Sequence, residues 1–281
     1  MELHGIFVPL VTPFDAGGGV DIKALRRLGE SVLGDGAAGL VALGTTGEPA
    51  TLTPAERAEV VGACRELGAP LLVGVGGSST AACAAEVAAL PDGVAAMVVV
   101  PPYTRPGEAG VVAHFRAVAA ASAVPVVVYH VPYRTGQTLS PATVLEVLSI
   151  PNVIGMKLSD GPITGDTVAL LGATDRSILG GDDAVISPLL ALGASGGILA
   201  SAHVATASYV ALYEAWRDGD AKAARGLGGG LAALSAALFA EPNPAVIKAV
   251  LHAQGRIATA AVRLPLLPAG DAARDAALAL L

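Results

Sequence analysis

The stretch Asn152-Val-Ile-Gly-Met-Lys-Leu158 is a short apolar run of the kind that forms a buried β-strand, and a single lysine interrupts it. Seven other apolar, β-branched runs share its character, and the segments between them are rich in Ala, Leu and Glu and long enough for helices. The eight predicted strands cover 5–14, 39–45, 70–76, 93–100, 124–131, 153–158, 177–181 and 196–201.

The alternation of these strands with helices decides the fold class. Continuous apolar strands separated by helices indicate a parallel sheet that helices cover on both faces. Eight such units predict an α/β protein with a closed (β/α)8 TIM barrel, in preference to an open doubly wound sheet. The open sheet would favour a Gly-x-Gly-x-x-Gly turn after the first strand, and Pro9–Phe14 offers no such turn. Capping sequences at Thr53-Pro54-Ala-Glu56 and Ser140-Pro141 mark two of the helix starts.

The pattern changes after the eighth strand, where helices follow one another without strands between them. Predicted helices span 204–217, 219–238 and 242–255, and Glu241-Pro-Asn-Pro244 separates the last two. We therefore expect a barrel domain over 1–217 and a C-terminal helical region over 218–281. The glycine-dense segment Gly226–Gly230 lies inside one of these helices and predicts a close helix crossing.

Composition excludes several classes of protein. The net charge of -7 and the absence of a basic cluster argue against partners such as nucleic acid or an anionic membrane. Cys64 and Cys83 have no redox or zinc-site spacing and are interpreted as small hydrophobic residues in a reducing compartment. The sequence shows neither a secretory signal nor an apolar stretch long enough to span a membrane. We expect a soluble cytoplasmic protein.

Lys157 is the candidate catalytic nucleophile, because it is the lysine that interrupts a predicted apolar strand. An ammonium group loses several kcal/mol of hydration on burial, and a buried lysine that releases its proton becomes a nucleophile towards carbonyl groups. Such an amine forms a Schiff base. The alternative is a lysine at the end of a strand, held in a structural ion pair. The other three lysines, 23, 222 and 248, lie in helix-like segments.

Two further features follow the ends of predicted strands, where the active sites of such barrels lie. Tyr129 is near the end of strand five, and its hydroxyl could carry the proton that a carbinolamine needs to lose water. Gly44-Thr-Thr-Gly-Glu48 follows strand two and offers backbone N–H groups and hydroxyls to a small carboxylate. Each feature alone is also typical of a structural residue or an ordinary turn. Their combination with Lys157 is much more specific.

The chain resembles the dihydrodipicolinate synthase / N-acetylneuraminate lyase superfamily of pyruvate-dependent class I aldolases. The shared motifs occur in order over nearly the whole chain. They are Gly5-x-x-x-Pro-x-x-Thr-Pro-Phe14, Gly44-Thr-Thr-Gly-Glu48, Pro101-Pro-Tyr-Thr-Arg-Pro106, Tyr129-x-Val-Pro-x-Arg-Thr-Gly136, Gly155-x-Lys157, Gly181-Asp-Asp183, Asn243-Pro244 and Arg263-Leu-Pro-Leu266.

The resemblance implies a role for each matching residue. Lys157 would form the Schiff base with pyruvate. Thr45, Tyr129 and Tyr103 would relay protons, and Tyr103 would reach in from a neighbouring subunit. Thr46 would bind the pyruvate carboxylate. Gly181 and Ile198 would line the pocket. The resemblance implies no cofactor, and it implies a homotetramer built as a dimer of dimers.

Arg134 bears on the second substrate. An arginine at this position resembles the synthase branch, where it receives the carboxylate of aspartate 4-semialdehyde, although a solvated loop arginine is the plain alternative. His130, Leu158-Ser159-Asp160 and Gly180 depart from the synthase pattern. An aldolase or dehydratase acting on another 2-oxo acid, such as a 2-keto-3-deoxy sugar acid, therefore stays open. Asp160, together with Asp182 and Asp183, could contact a hydroxylated substrate, and helix capping is the preferred interpretation for the last two.

Two other classes are less consistent with the sequence. A metal-dependent aldolase needs convergent ligands, and the five histidines (4, 114, 130, 203 and 252) are scattered singly, so no metal site is predicted. A pyruvate sensor without catalytic activity would be expected to lose the amine or its proton relay, and both residue types are present. The expected partners are small-molecule substrates, pyruvate and an aldehyde.

Overall fold

A computed structural model describes residues 1 and 3–281, and its eight strands form a closed barrel in sequence order. Every strand pair with a defined register is parallel, which confirms the predicted (β/α)8 TIM barrel. The strands are β1 (Gly5–Pro9), β2 (Gly39–Ala42), β3 (Leu71–Val75), β4 (Ala95–Val99), β5 (Val126–His130), β6 (Val153–Leu158), β7 (Ser177–Gly180) and β8 (Gly196–Ile198).

Helices connect successive strands and follow the last one. They are α1 (Ile22–Gly34), α2 (Pro54–Arg65), α3 (Thr80–Ala88), α4 (Gly107–Ala121), α5 (Pro132–Thr135), α6 (Pro141–Leu148), α7 (Gly165–Gly172), α8 (Ile186–Ala191), α9 (Ala202–Arg217), α10 (Ala221–Leu238), α11 (Ala245–Ala253) and α12 (Asp271–Leu278). The predicted C-terminal helices correspond to α9, α10 and α11, while α12 lies beyond the segments assigned from sequence.

Most residues of the strands are buried, as strands covered on both faces require. All residues of β1, β2, β3, β5 and β8 are buried. They are also shorter than the apolar runs that predicted them. The first run extends to residue 14, but β1 ends at Pro9; residues 10–13 have no regular secondary structure, and Phe14 forms an isolated antiparallel bridge with Val20.

The two predicted capping sequences occur at helix starts. Thr53 and Glu56 form a capping box at α2, in which the threonine side chain accepts from the Glu56 N–H while the glutamate side chain accepts from the Thr53 N–H. Ser140 caps α6 by accepting from the Thr143 N–H, with Pro141 as the first helical residue. These local contacts begin each helix where the sequence predicts it.

The chain divides into two compact units, Met1–His4 with Leu72–Gly197, and Gly5–Leu71 with Ile198–Leu281. The first contains β4 to β7 and the second contains β1, β2 and the C-terminal helices. In the second unit α9 packs on β1 and α10, and Tyr209 of α9 bonds to Ser235 of α10 at 2.6 Å. None of the helices in the described part of the chain is both long and apolar enough to cross a membrane.

Three glycines of the segment Gly226–Gly230 do not mark a close helix crossing, although α10 packs on α9. A Cβ atom added at Gly226, Gly229 or Gly230 of α10 would meet no atom of the described chain within 4 Å. These glycines therefore face open space and lower the intrinsic stability of the helix without allowing a close approach.

Candidate active site

The centre of the site is the pairing of β5 with β6. Val126 pairs with Val153, but Val127 pairs with Gly155, so one residue of β6 is skipped. Without this irregularity Tyr129 would pair with Met156, since residues on paired strands advance together. With it, Tyr129 pairs with Lys157. The two side chains therefore share one face of the sheet, and the Lys157 Nζ lies 4.5 Å from the centroid of the Tyr129 ring.

Two glycines make room for this arrangement. A Cβ at Gly181 would come within 2.5 Å of the Lys157 Cε and would also overlap the Ser159 hydroxyl. A Cβ at Gly155 would lie 2.5 Å from the Ser177 carbonyl oxygen on β7. Gly181 thus leaves the space that the lysine side chain occupies, and Gly155 permits β6 and β7 to approach closely.

Lys157 is buried without a carboxylate partner. Its exposed fraction is 7%, and no salt bridge of the described residues includes it. The ion-pair alternative for this lysine is therefore wrong. A lysine nitrogen that no salt bridge holds can act as a nucleophile once it is deprotonated.

Two half-buried carboxyl groups belong to the same unit. Burial raises the pKa of Asp160, and the charge of Asp182 adds to this rise. Burial also raises the pKa of Asp182, opposed by the bond from the Gly161 N–H and by the charge of Lys157. The Asp182 side chain does not cap the helical turn that it precedes and instead accepts from Gly161 N at 2.8 Å. The capping interpretation of Asp182 is therefore wrong.

Arg134 is exposed, and its geometry is set by a neighbour that the sequence interpretation overlooked. Its Nε donates to the Tyr133 hydroxyl at 2.8 Å, and its guanidinium carbon lies 4.9 Å from the centroid of the Tyr133 ring. Burial raises the pKa of Tyr133, and the Arg134 charge opposes this rise. The adjacent Tyr-Arg pair within Val131-Pro-Tyr-Arg-Thr135 was the available signal, because arginine stacks on aromatic rings.

The Tyr103 side chain is almost fully exposed. Its exposed fraction is 91%, and its backbone φ is 67°, a left-handed conformation that tyrosine rarely adopts. Arg105, two residues later, also has a positive φ, of 45°. The loop therefore presents the phenol ring to the outside of the chain and does not bury it with Lys157.

The second unit holds the Gly-Thr-Thr-Gly turn. Thr45–Gly47 is a single turn of 3-10 helix, and Glu48 after it has a left-handed φ of 53°. Thr46 is buried, and its hydroxyl accepts from the Asn243 Nδ2 at 3.0 Å. Thr45 is half-buried, and Ile198 at the end of β8 is fully buried. The sequence interpretation quoted Asn243 as part of a motif but gave it no role.

Lys248 differs most from its sequence interpretation. It lies in α11 as expected, but it is completely buried. Its Nζ bonds to the Glu48 Oε1 at 2.5 Å and to the Ala261 carbonyl oxygen at 2.9 Å. Burial lowers the pKa of Lys248 to about 8, against the opposing effect of Glu48. The available signal was its position among apolar residues in Ala245-Val-Ile-Lys-Ala-Val-Leu251.

The histidines do not cluster, and three of them, His114, His130 and His203, are buried. Burial lowers the pKa of both His130 and His203 to about 4, so both are neutral at pH 7. The Nε2 of His203 accepts from the Val11 N–H at 3.0 Å, a structural role. Over residues 1 and 3–281, no group of three or more His, Cys, Asp or Glu side chains is placed to hold a metal ion.

Comparison with known proteins identifies the family. The model of the dihydrodipicolinate synthetase family matches residues 2–281. The chain is 36% identical to 4-hydroxy-tetrahydrodipicolinate synthase 2 of Clostridium acetobutylicum, over 96% of each chain. It is 39% identical to 4-hydroxy-tetrahydrodipicolinate synthase of Thermomicrobium roseum, covering 99% of this chain and 94% of the relative.

Solved structures agree with these sequence matches. The chloride-inhibited dihydrodipicolinate synthase from Acinetobacter baumannii, crystallised with pyruvate, superimposes with a TM-score of 0.94 at 33% identity, over 99% of this chain and 98% of that one. Dihydrodipicolinate synthase from Thermotoga maritima gives a TM-score of 0.93 at 30% identity, over 99% of this chain and 97% of that one. With a whole-chain family match, a closed barrel and a buried lysine opposite Tyr129, the chain belongs to the dihydrodipicolinate synthetase family.

Proposed function

We propose that this chain is a lyase that condenses pyruvate with aspartate 4-semialdehyde to give 4-hydroxy-tetrahydrodipicolinate through a Schiff base on Lys157. The observation that carries the proposal is the Lys157 amine, which is buried, free of carboxylate partners and 4.5 Å from the Tyr129 ring centroid. The names of the relatives support the same reaction and do not favour a sugar-acid aldolase.

The chemistry starts with attack of the Lys157 amine on the C2 carbonyl of pyruvate. The carbinolamine that forms must be protonated on its hydroxyl before water leaves and the imine appears. Tyr129 is the proposed carrier of that proton, because its ring lies beside the amine. Thr45 and Tyr103 are proposed to complete the relay. Loss of a proton from the pyruvate methyl group then gives an enamine.

The enamine carbon attacks the aldehyde carbon, and this step forms the new carbon–carbon bond. The amino group of the aldehyde substrate can then attack the imine carbon, which closes the ring and releases Lys157. Arg134 is the proposed ligand of the second substrate's carboxylate, since its bond to Tyr133 holds the guanidinium in one orientation. Thr46 is the proposed ligand of the pyruvate carboxylate, and Gly181 and Ile198 are proposed to line the pocket.

The proposed assembly is a homotetramer in which Tyr103 completes the site of a neighbouring subunit. Its 91% exposure and its left-handed backbone support this role, because a strained loop that displays an aromatic ring needs a partner surface to hold it. The cytoplasmic location and the division into a catalytic barrel over 1–217 and a helical region over 218–281 stay predictions.

Reductive trapping tests the proposed reaction. Borohydride treatment in the presence of pyruvate should label Lys157, and peptide mass mapping should locate the adduct there. Lys157→Arg should abolish the label, whereas Lys23→Arg is the matched control because Lys23 is exposed on α1. An adduct on Lys23, Lys222 or Lys248 in place of Lys157 would contradict the assignment.

The second substrate needs its own assay. Turnover with pyruvate and a panel of aldehydes should be efficient for aspartate 4-semialdehyde and weak for sugar aldehydes. If the protein forms the Lys157 adduct but turns over pyruvate only with sugar aldehydes, the proposed pyruvate chemistry is right and the proposed aldehyde substrate is wrong.

A further inference from the structure

The Gly44–Glu48 turn is held from one side by the segment that follows α10. Glu48 ends the turn, and its carboxylate is completely buried between the Lys248 Nζ at 2.5 Å and the Arg263 backbone N–H at 2.9 Å. The Thr12 hydroxyl donates to the Gly47 carbonyl oxygen at 2.7 Å. Buried charge-assisted bonds are among the strongest in proteins, so the end of the turn is fixed in place.

The Thr46 hydroxyl of this turn accepts a hydrogen bond from Asn243, and the direction of this bond decides whether the Thr46 proton is free to be donated. A hydroxyl has one proton to donate and lone pairs to accept with, whereas an amide nitrogen can only donate. In the orientation of the structure the Asn243 Nδ2 donates to the Thr46 Oγ1 at 3.0 Å. The proton of Thr46 is therefore not used in this contact. No other described residue bonds to the Thr46 hydroxyl, so its proton is available to an acceptor from outside the chain.

We infer that Asn243 is a positioning residue, which directs the proton of the Thr46 hydroxyl towards the carboxylate of the 2-oxo acid and so sets the affinity for pyruvate. The inference rests on the proposed function, in which Thr46 binds that carboxylate. The Oδ1 of Asn243 is buried and has no partner among the described residues, while the Nδ2 donates to Thr46. The Lys248–Glu48 pair keeps the turn where this donor reaches it.

Asn243→Asp is the sharpest test, because it keeps the size of the side chain while it replaces the donor by an acceptor. The aspartate would draw the Thr46 proton towards itself and place a negative charge near the substrate carboxylate. The pyruvate concentration for half-maximal trapping should rise roughly tenfold or more. The aspartate would take the Thr46 proton in a charge-assisted hydrogen bond, and such a bond is stronger than the neutral one that it replaces. The maximal rate of trapping should change much less.

Asn243→Ala separates loss of the donor from reversal of its direction. This variant leaves the Thr46 hydroxyl free to rotate, and half-maximal trapping should need about two to five times more pyruvate, as expected for one neutral hydrogen bond. Tyr209→Phe is the matched control, because it removes a buried bond to Ser235 in the same unit but does not touch the turn. Its half-saturating pyruvate concentration should equal that of the unaltered protein.

The outcomes separate this inference from the proposed function. Normal trapping in the unaltered protein, with an unchanged half-saturating pyruvate concentration in folded Asn243→Asp, would overturn the inference and leave the proposed function intact. A fall in maximal rate with no change in half-saturation would also overturn it, because the residue would then act on the chemistry. Absence of trapping in the unaltered protein would overturn both.

Discussion

The chain buries two lysines in two different settings. Lys157 on β6 retains 7% exposure, has no carboxylate partner among the described residues and lies 4.5 Å from the Tyr129 ring centroid. Lys248 on α11 is completely buried, is bonded to Glu48 and lies 4.0 Å from the centroid of the Phe14 ring. Apolar residues flank both lysines in the sequence, yet only Lys248 has a counter-ion.

The presence or absence of a counter-ion distinguishes a structural lysine from a lysine that can react. A buried ammonium that is paired and hydrogen-bonded has a fixed position, and removing its partner leaves an uncompensated charge. A buried lysine without a counter-ion has no such partner to fix its nitrogen, so it gains little stability from its position. Lys248 therefore supports the Gly44–Glu48 turn, and Lys157 is the lysine used in the proposed chemistry.

The largest expected effect follows from Lys157→Met. This change removes the nucleophile, so turnover should fall by more than about a thousandfold, as it does when a covalent catalyst is deleted. The midpoint of thermal unfolding should stay the same or rise, because an apolar side chain of similar length replaces a buried amine. Steady-state rates and circular dichroism melting measure the two quantities.

Lys222→Met is the matched control for that change, because Lys222 is exposed on α10. Its turnover and melting midpoint should equal those of the unaltered protein. A Lys157→Met protein that melts far below the unaltered one would show that this lysine is structural, and the contrast with Lys248 would be lost.

Lys248→Met should produce the opposite pattern. The buried Glu48 carboxylate would lose its counter-ion, which costs about 3–5 kcal/mol in the free energy of unfolding. The protein that remains folded should still form the Lys157 adduct, with a higher half-saturating pyruvate concentration because the turn is less well held. Denaturant unfolding with parallel trapping assays measures both effects.

The double variant Lys248→Met/Glu48→Leu sharpens this result. Replacing a whole buried ion pair by apolar groups is often neutral in stability, whereas breaking one half is costly. The double variant should therefore recover most of the free energy that Lys248→Met loses. Equal unfolding free energies in the single and double variants would show that the unpaired Glu48 carboxylate is not what destabilises Lys248→Met.

The smallest expected effect concerns pH and the Arg263 side chain. The hydrogen bond from Arg263 lowers the pKa of Glu56 to about 2, further helped by the bond from the Thr53 N–H. A carboxyl group whose pKa is lower in the folded state stabilises the protein above its unfolded pKa of 4.5, and this contribution is lost as the pH falls towards 2. Melting midpoints measured from pH 6 to pH 2 should therefore decline.

Glu56→Gln provides the comparison for the pH series. Its midpoint should be lower than that of the unaltered protein at pH 6, and the gap should narrow as the pH approaches 2. A constant gap over this range would show that Glu56 contributes through packing and not through its charge.

The periodicity of the sequence was sufficient for the architecture. Apolar runs alternating with helical segments predicted the eight-stranded barrel, and the capping sequences marked where α2 and α6 begin. Strand ends were less predictable, since β1 ends at Pro9 although its apolar run continues to residue 14. Apolar composition extends into buried turns, so it does not by itself mark where the hydrogen-bonded ladder stops.

The lysine within an apolar strand, the Tyr-x-Val-Pro motif and the Gly-Thr-Thr-Gly turn could all be read directly from the chain. The sequence could not show that one skipped residue in β6 pairs Lys157 with Tyr129, or that Lys248 meets a glutamate 200 positions away. Residue type and local spacing are properties of the sequence. Register and ion pairing depend on which distant segments meet, and only the folded chain brings those segments together.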